Sequence, residues 1–277
     1  MTTFRSPLGA RRALSACAAL TTGAIAAAIT GATLERARAD GDLDGETILR
    51  RAESEHRAKD ERGVVDVALV TEDGLTQRRS MEMLFKAGDP DDDLHLLRFL
   101  EPETIRGTAL LTLEASDRND DQWVYLPALK RTKKIAASRR SERFAQTDFT
   151  YEDLRTEDFA RHTYRRLDDA ALAGVPCFQI EATPRTAEDS GYSRRVVTVE
   201  KARFLTLKVE YFDAKGRHQK TLLNRDFEKH AGLWRPKQAM MDDHLRRSKT
   251  LWRFVERQLN AGLPASTFTV QNLERGS

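Results

Sequence analysis

The strongest constraint on the fold is an alternation of apolar and polar residues that begins at Val64 and continues through most of the chain. A period of two is typical of β-strands that have one buried face. Turn sequences such as Glu72-Asp73-Gly74 and Gly88-Asp89-Pro90 separate the runs at hairpin spacing. We therefore predict about eleven or twelve strands in one large antiparallel sheet or open barrel. The predicted class is mostly β with a few helices (α+β).

One helix is predicted before the strands begin. Residues 44–59 offer Asp44 as an N-cap, Glu46 in the first turn, and a sparse apolar face that includes Ile48 and Leu49. A helix with so few apolar residues is expected to lie on the surface of another element rather than inside a core. The sequence contains no internal repeat, low-complexity tract or domain linker, so residues 40–277 are predicted to form a single domain.

Residues 1–39 have the pattern of a secretory signal peptide. Three arginines precede an alanine-rich apolar run, and residues 37–39 form an A-x-A cleavage site. A transmembrane anchor needs about 20 strongly apolar residues, whereas this run consists mostly of Ala, Thr and Gly. We therefore predict cleavage after Ala39 and an exported mature protein that begins at Asp40. The choice between the general secretory and twin-arginine routes stays open.

The composition argues against general nucleic-acid binding. The formal net charge of +3 over 277 residues includes the arginines of the predicted signal peptide, so the mature chain is near neutral. With 40% hydrophobic residues the chain can bury a core. Only Cys177 remains after cleavage, so no internal disulfide is expected. Because Cys177 lies in a strand-like run, it is predicted to be a small buried residue.

No catalytic, cofactor or metal pattern stands out. The histidines lack metal-ligand spacing, and the sequence has no G-x-S-x-G motif, phosphate loop or dinucleotide fingerprint. The nearest approach to a metal cluster is Asp242-Asp243-His244, which is predicted to be a solvated strand edge. We predict no enzyme activity, cofactor or metal, with an exported hydrolase as the weakest alternative.

The most specific pattern covers residues 120–154, DDQWVYLPALKRTKKIAASRRSERFAQTDFTYEDL. It begins with an aromatic and apolar strand at 122–126 and continues through a dense basic segment. It closes on 147–154, where Thr147 or Asp148 is predicted to cap a short helix with two acids in its first turn.

This stretch resembles the signature of the LolA-like, outer-membrane lipoprotein-sorting family of periplasmic proteins. Members typically carry W-x-Y-L-P-A, a basic run, R-x-x-x-F, and a segment close to G-S-D-F-T-Y-E-D-L. This sequence departs at Ala145-Gln146-Thr147, where relatives usually have a glycine before the Ser or Thr. The matching residues are Trp123, Tyr125, Leu126, Pro127, Ala128, Arg131, Ile135, Arg140, Phe144, Asp148, Phe149, Tyr151, Glu152, Asp153 and Leu154.

The resemblance implies an open antiparallel half-barrel with a helical lid, as in LolA and LolB. It implies a periplasmic carrier that shields the acyl chains of a lipoprotein or lipid on the way to the outer membrane. An inner-membrane exporter of the resistance-nodulation-division (RND) class is a candidate partner. The alternative is an adaptor with a filled core that docks a membrane partner through its basic loop. The predicted lipid-binding residues are Trp123, Tyr125, Phe144, Phe149, Tyr151, Leu207, Val209 and Tyr211.

Two points about these residues stay open at this stage. Strand register is not set by the sequence, so either Tyr125 or its neighbour Val124 faces a cavity. The basic segment is either a solvated loop or a docking surface for anionic lipid headgroups or an acidic partner, with transient membrane contact. The predicted docking residues are Lys130, Arg131, Lys133, Lys134, Arg139, Arg140 and Arg143.

Overall fold

Fourteen antiparallel strands of one sheet dominate the computed structural model, which describes residues 43–88, 92–116 and 118–275. The strands are β1 Asp60–Val70, β2 Thr76–Lys86, β3 Leu94–Glu101, β4 Ala109–Leu113, β5 Asp121–Leu126, β6 Arg131–Lys134, β7 His162–Arg166, β8 Ala170–Leu172, β9 Val175–Pro184, β10 Arg194–Glu200, β11 Thr206–Phe212, β12 His218–His230, β13 Leu233–Asp243 and β14 Ser248–Leu259. The predicted signal peptide lies outside the described residues and stays a prediction.

The sheet is open. Its strand order is β6-β5-β4-β3-β2-β1-β14-β13-β12-β11-β10-β9-β7, with β8 also paired to β9. Nearly every strand pairs with its neighbours in the chain, and β1, the first strand, pairs with β14, the last. The terminal strands β6 and β7 do not pair with each other among the described residues. The predicted mostly-β, open half-barrel is therefore confirmed.

Of the described residues, two segments form α-helices that pack on this sheet, α1 at Gly45–Ser54 and α2 at Val270–Arg275. The predicted N-cap of α1 at Asp44 is confirmed. Asp44 Oδ1 accepts a hydrogen bond from the backbone N–H of Thr47 at 2.7 Å. Within the described ranges no helix is long and apolar enough to span a membrane.

The first helix ends five residues before the predicted Lys59. Tertiary contacts after Ser54 stop it: the His56 ring lies 2.7 Å from the carbonyl oxygen of Arg203, and Arg57 donates to Asp93 at 2.5 Å. These contacts direct the chain into β1, so the predicted C-terminal boundary of the helix is wrong.

Side-chain alternation gives the sheet two faces. The first, called the signature face, carries Val67, Trp252 and Met241, which are buried. The other, called the opposite face, carries the adjacent residues Ala68, Leu251 and Met240 in one cross-strand row. Leu251 is 36% exposed, whereas Trp252 is 6% exposed, so the two faces differ in how completely they are covered.

The signature face is covered by α1 and by the signature segment, defined as residues 135–161, which connects β6 to β7. Helix α1 packs at the β7–β9–β10 end of the sheet. There an added Cβ on Gly45 would lie 3.0 Å from a side-chain carbon of Ile180, so the helix approaches the sheet closely only because Gly45 has no side chain. The signature segment is itself mostly irregular, with short 3-10 helices.

The opposite face is covered in part by the C-terminal segment. Phe268 and Leu273 are 3% and 0% exposed and pack on Leu84, Leu96 and Leu111 of neighbouring strands. Burying apolar surface of this kind is the main stabilising contribution to a fold. The part of the opposite face that spans β1 and β12–β14 lies beyond this cluster.

Candidate functional site

Asp148 of the signature segment binds the sheet rather than a helix. Its carboxylate accepts hydrogen bonds from Ser248 Oγ at 2.6 Å and Thr250 Oγ1 at 2.8 Å. Because these β14 hydroxyls satisfy Asp148, the predicted helix cap at Thr147 or Asp148 is wrong. The nearest helical turn is the 3-10 helix Glu152–Leu154.

A buried ion pair fixes the same segment to β12. Lys220 Nζ lies 2.5 Å from Asp153 Oδ2, and both side chains are 1% exposed. Tyr192 donates its hydroxyl to Asp153 Oδ1 at 2.8 Å. The ammonium also lies 5.1 and 5.2 Å from the ring centroids of Tyr192 and Tyr211, within cation–π range. The pKa of both tyrosines is raised well above its ordinary value. Burial is the larger cause, and the negative charge of Asp153 is the second.

Aromatic stacking fills the space between the signature segment and the sheet. Phe149 stacks on Trp252 with ring centroids 4.1 Å apart, and Phe144 stacks on Phe99 at 5.6 Å. Tyr151 lies 6.0 Å from Phe144. These pairs bury large apolar surfaces in a preferred stacked or tilted geometry. The aromatic side chains of the signature segment therefore pack against the signature face and bury it.

Near the end of the signature segment, Glu157 is bound by Arg195 of β10. Both Arg195 terminal nitrogens lie 2.8 Å from the carboxylate, and the Tyr164 hydroxyl donates at 2.6 Å. Burial alone would raise the pKa of Glu157, but the Arg195 charge and hydrogen bonds outweigh it and lower the pKa to about 2.

We expect the charge of Glu157 to make stability depend on acid pH. The pKa of Glu157 is lower in the folded protein than its ordinary value of 4.5. Its contribution to the free energy of unfolding is therefore fully present above pH 4.5 and is lost as the pH falls toward about 2. Glu157→Gln should therefore lower the free energy of unfolding on the order of 3 kcal/mol at pH 7 and by little at pH 2. Urea unfolding of both proteins across this range tests it, and a difference that does not change with pH would contradict it.

One group of described residues could hold a metal. Ligand atoms of Asp93, His95 and Glu114 all lie within 4.8 Å of one another. Asp93 also accepts hydrogen bonds from Arg57 at 2.5 Å and from the Gly88 N–H at 2.9 Å. Burial raises the pKa of Asp93 above its ordinary value, although these two contacts oppose the rise.

A cavity of about 630 Å³ lies on the opposite face of the sheet. Two cross-strand rows of side chains form its floor, each crossing β2, β1, β14, β13 and β12 in turn. Its volume falls within the ~300–1,000 Å³ range of ligand pockets. The first row is Arg78, Ala68, Leu251, Met240 and Leu223, and the second is Ser80, Asp66, Arg253, Gln238 and Arg225.

The floor of this cavity is apolar in its first row and charged around it. The loop after β3 adds a wall with Pro102, Glu103 and Arg106. Part of the charge is compensated, since Arg253 pairs with Asp66 at 2.7 Å and Arg106 pairs with Glu103 at 2.8 Å. The cavity therefore offers an apolar surface for a hydrocarbon chain with a polar rim for a headgroup.

The predicted lipid-binding residues do not converge on this cavity. Five of them meet on the signature face, where they are buried, and Leu207 lies half-buried on the same face by alternation. These five are Phe144, Phe149, Tyr151, Val209 and Tyr211. Trp123 and Tyr125 instead face the C-terminal segment on the opposite face. The register thus turns Val124, not Tyr125, toward the signature segment.

Within the part of the chain that the structure describes, three of the predicted docking residues make no ion pair and four are bound. Lys130, Arg131 and Lys133 are exposed around the β5–β6 hairpin, beside Leu129, which is 59% exposed. These four residues, 129–131 and 133, are called the basic hairpin.

The remaining four docking residues have partners within the chain. Lys134 pairs with Asp121 at 2.5 Å and Arg139 pairs with Glu142 at 2.7 Å, both at the surface. The last two are structural. Arg140 is 8% exposed and donates to a backbone carbonyl, while Arg143 pairs with the buried Asp148 at 3.1 Å.

The sequence does contain a signal for the missed cavity. Leu222-Leu223, Met240-Met241 and Leu251-Trp252 are pairs of adjacent apolar residues on three neighbouring strands. In each pair one residue must face away from the signature face, because successive strand residues point to opposite sides. Such pairs indicate a sheet with apolar surface on both faces.

Comparisons with known proteins agree with this fold. A family model described as an uncharacterised protein matches residues 91–275. A domain from Vibrio parahaemolyticus that is assigned to outer membrane lipoprotein sorting is 29% identical, covers 83% of this chain and 98% of its own, and has a TM-score of 0.80.

Two further solved structures are similar. A DUF1329 family protein from Desulfovibrio piger is 26% identical over 82% of this chain and 96% of its own, with a TM-score of 0.77. A LolA superfamily protein from Nitrosomonas europaea shares the fold at 19% identity, with 83% and 99% coverage and a TM-score of 0.68. Among curated proteins, no sequence matches this chain.

Proposed function

The chain belongs to the LolA-like, outer-membrane lipoprotein-sorting family, and from that premise we propose that it is a periplasmic carrier for acyl chains. In this proposal it shields the acyl chains of a lipoprotein or lipid and moves them toward the outer membrane. The observation that supports it is the cavity of about 630 Å³ on the opposite face, with its apolar floor of Ala68, Leu251, Met240 and Leu223.

The proposed mechanism is transfer without covalent chemistry. Each methylene buried on the floor contributes about 0.8 kcal/mol, so binding strength rises with chain length. Release then needs a second surface that offsets this energy. A membrane protein such as an exporter of the RND class is a candidate for loading, and the outer membrane is a candidate for delivery.

The aromatic residues of the signature segment pack on the signature face of the same strands whose opposite face forms the cavity floor. Phe149 stacks on Trp252, whose chain neighbours Leu251 and Arg253 belong to the two floor rows. With the signature segment packed as described, the opposite face is where an acyl chain has space. The signature then serves to hold the sheet in the shape that forms the cavity.

Titration with a fluorescent fatty acid tests the proposed carrier. We expect saturable binding that strengthens as the acyl chain lengthens, and a lipid that co-purifies from the periplasm in native mass spectrometry. Absence of both, in protein that unfolds cooperatively, would contradict the carrier and leave the adaptor as the function.

We propose that the basic hairpin makes transient contact with membranes. An exposed apolar side chain, Leu129, sits among Lys130, Arg131 and Lys133. Clustered cations attract an anionic membrane surface by about 1 kcal/mol each, and an apolar residue between them can enter the interface. The same surface would serve the adaptor, so it does not discriminate between the two functions.

Reversing two hairpin charges should weaken membrane binding without unfolding the protein. Lys130→Glu/Lys133→Glu is expected to leave the melting temperature nearly unchanged, because exposed charges contribute little to stability. Binding to anionic vesicles should fall strongly, and wild-type binding should fall with added salt. The matched control is Lys215→Glu/Lys229→Glu, which changes the same charge at exposed positions elsewhere. Equal vesicle binding by both variants would show that the hairpin is only a solvated loop.

A further inference from the structure

We propose that Asp93, His95 and Glu114 form a zinc site beneath the end of the signature segment. The three residues come from the start of β3 and the end of β4, so they are adjacent in the sheet. Asp93 and Glu114 are 1% and 9% exposed. Imidazole nitrogen together with carboxylate oxygen is a donor set that suits Zn²⁺.

The separation of the His95 and Glu114 ligand atoms fits a tetrahedral ion. Two ligands at 2.0–2.1 Å from a tetrahedral zinc ion are about 3.3–3.4 Å apart. His95 Nε2 lies 3.3 Å from Glu114 Oε1. The hydroxyl oxygen of Thr156 lies 3.2 Å from His95 Nε2 and 3.4 Å from Asp93 Oδ2. The separations of 3.3 and 3.4 Å lie just beyond the usual hydrogen-bond range of about 2.7–3.2 Å.

The surrounding residues leave ligand positions open. Arg57 and the Gly88 N–H both bind Asp93 Oδ1, whereas among the described residues Oδ2 makes only the long contact with Thr156. In the proposed site Arg57 orients the carboxylate, as outer hydrogen-bonding partners do in metal sites. With both acids charged and Arg57 cationic, the cluster carries a net charge of about −1 that a divalent cation offsets.

The site would connect the signature segment to the sheet. Thr156 lies in the signature segment, and its backbone N–H donates to Glu114 Oε1 at 2.6 Å. A zinc ion bound by the three sheet residues, with Thr156 or a water as fourth ligand, would strengthen this attachment. Because the attachment is on the signature face, this proposal is independent of the acyl-chain cavity on the opposite face.

Isothermal titration of chelator-treated protein with Zn²⁺ tests the site. We expect one ion per chain, a higher melting temperature with Zn²⁺, and slower amide exchange around Thr156. His95→Ala and the isosteric Glu114→Gln should each abolish all three effects. The control is His244→Ala, which removes an exposed histidine 3.8 Å from Asp242 and should bind like the wild type.

Two results would overturn the zinc site. One is the absence of Zn²⁺ binding by chelator-treated wild type that is still folded. Its circular dichroism spectrum, unchanged by the chelator treatment, shows that it is folded. The other is binding that persists in Glu114→Gln but disappears in His244→Ala, which would assign the ion to the surface pair. Glu114→Gln keeps the side-chain shape, so loss of binding by a variant that melts like the metal-free wild type supports the site.

Discussion

Lys220→Met is expected to lower the free energy of unfolding by about 3–5 kcal/mol, because it leaves a buried carboxylate without its counter-charge. Lys220 is 0% exposed and its ammonium lies 2.5 Å from Asp153. Methionine has a similar length, so the loss comes from the charge rather than from a cavity. Urea unfolding at neutral pH measures the effect.

Two control variants make this result specific. Lys208→Met removes a partly exposed lysine on β11 that pairs with Glu210 at 2.8 Å, and should cost at most about 1 kcal/mol. Lys220→Met/Asp153→Asn removes both charges and should be more stable than Lys220→Met alone. If Lys220→Met costs no more than Lys208→Met, the buried pair does not hold the signature segment.

Ala68→Trp is expected to abolish fatty-acid binding while leaving the protein folded. Ala68 lies in the first floor row, between Arg78 and Leu251, on the part of the opposite face that the C-terminal segment does not cover. An indole there occupies the space of the acyl chain but overpacks no buried core, so the free energy of unfolding should stay close to the wild-type value. Fluorescent fatty-acid titration and urea unfolding give the two readouts.

The matched control is Ala171→Trp, which places the same side chain at an exposed position on β8, away from the cavity. It should bind fatty acid like the wild type. Undiminished binding by Ala68→Trp would show that the acyl chain enters elsewhere, for example beneath the signature segment.

Much of the fold follows from local sequence. The alternation from Val64 onward predicted an open antiparallel sheet, which is confirmed. The buried state of Cys177 is also confirmed. Strands β6 and β8 were missed because they have only four and three residues, and β6 lies within the basic segment without apolar alternation.

The long-range partners of the signature could not be predicted. Its sequence shows that residues 147–154 are specific, but Lys220 and Thr250 lie 67 and 102 residues from the acids they contact. Those contacts depend on strand register, and a shift of one residue would turn each side chain to the other face. The same uncertainty kept Val124 and Tyr125 from being assigned to a face.

The cavity on the opposite face was not located from the sequence for a related reason. Alternation was interpreted as one apolar face and one solvated face, which is the usual pattern for an antiparallel sheet. Here the adjacent pairs Leu222-Leu223 and Met240-Met241 put apolar residues on both faces. Sequence reasoning therefore selected the residues that pack beneath the signature segment instead of those that remain accessible.

Nuclear Overhauser effects from a bound fatty acid to methionine methyl groups test the central claim most directly. Met240 lines the cavity on the opposite face, and its neighbour Met241 is 0% exposed on the signature face. We predict effects from the acyl methylenes to the Met240 methyl and none to the Met241 methyl. Effects to Met241 without Met240 would place the lipid beneath the signature segment and contradict this account.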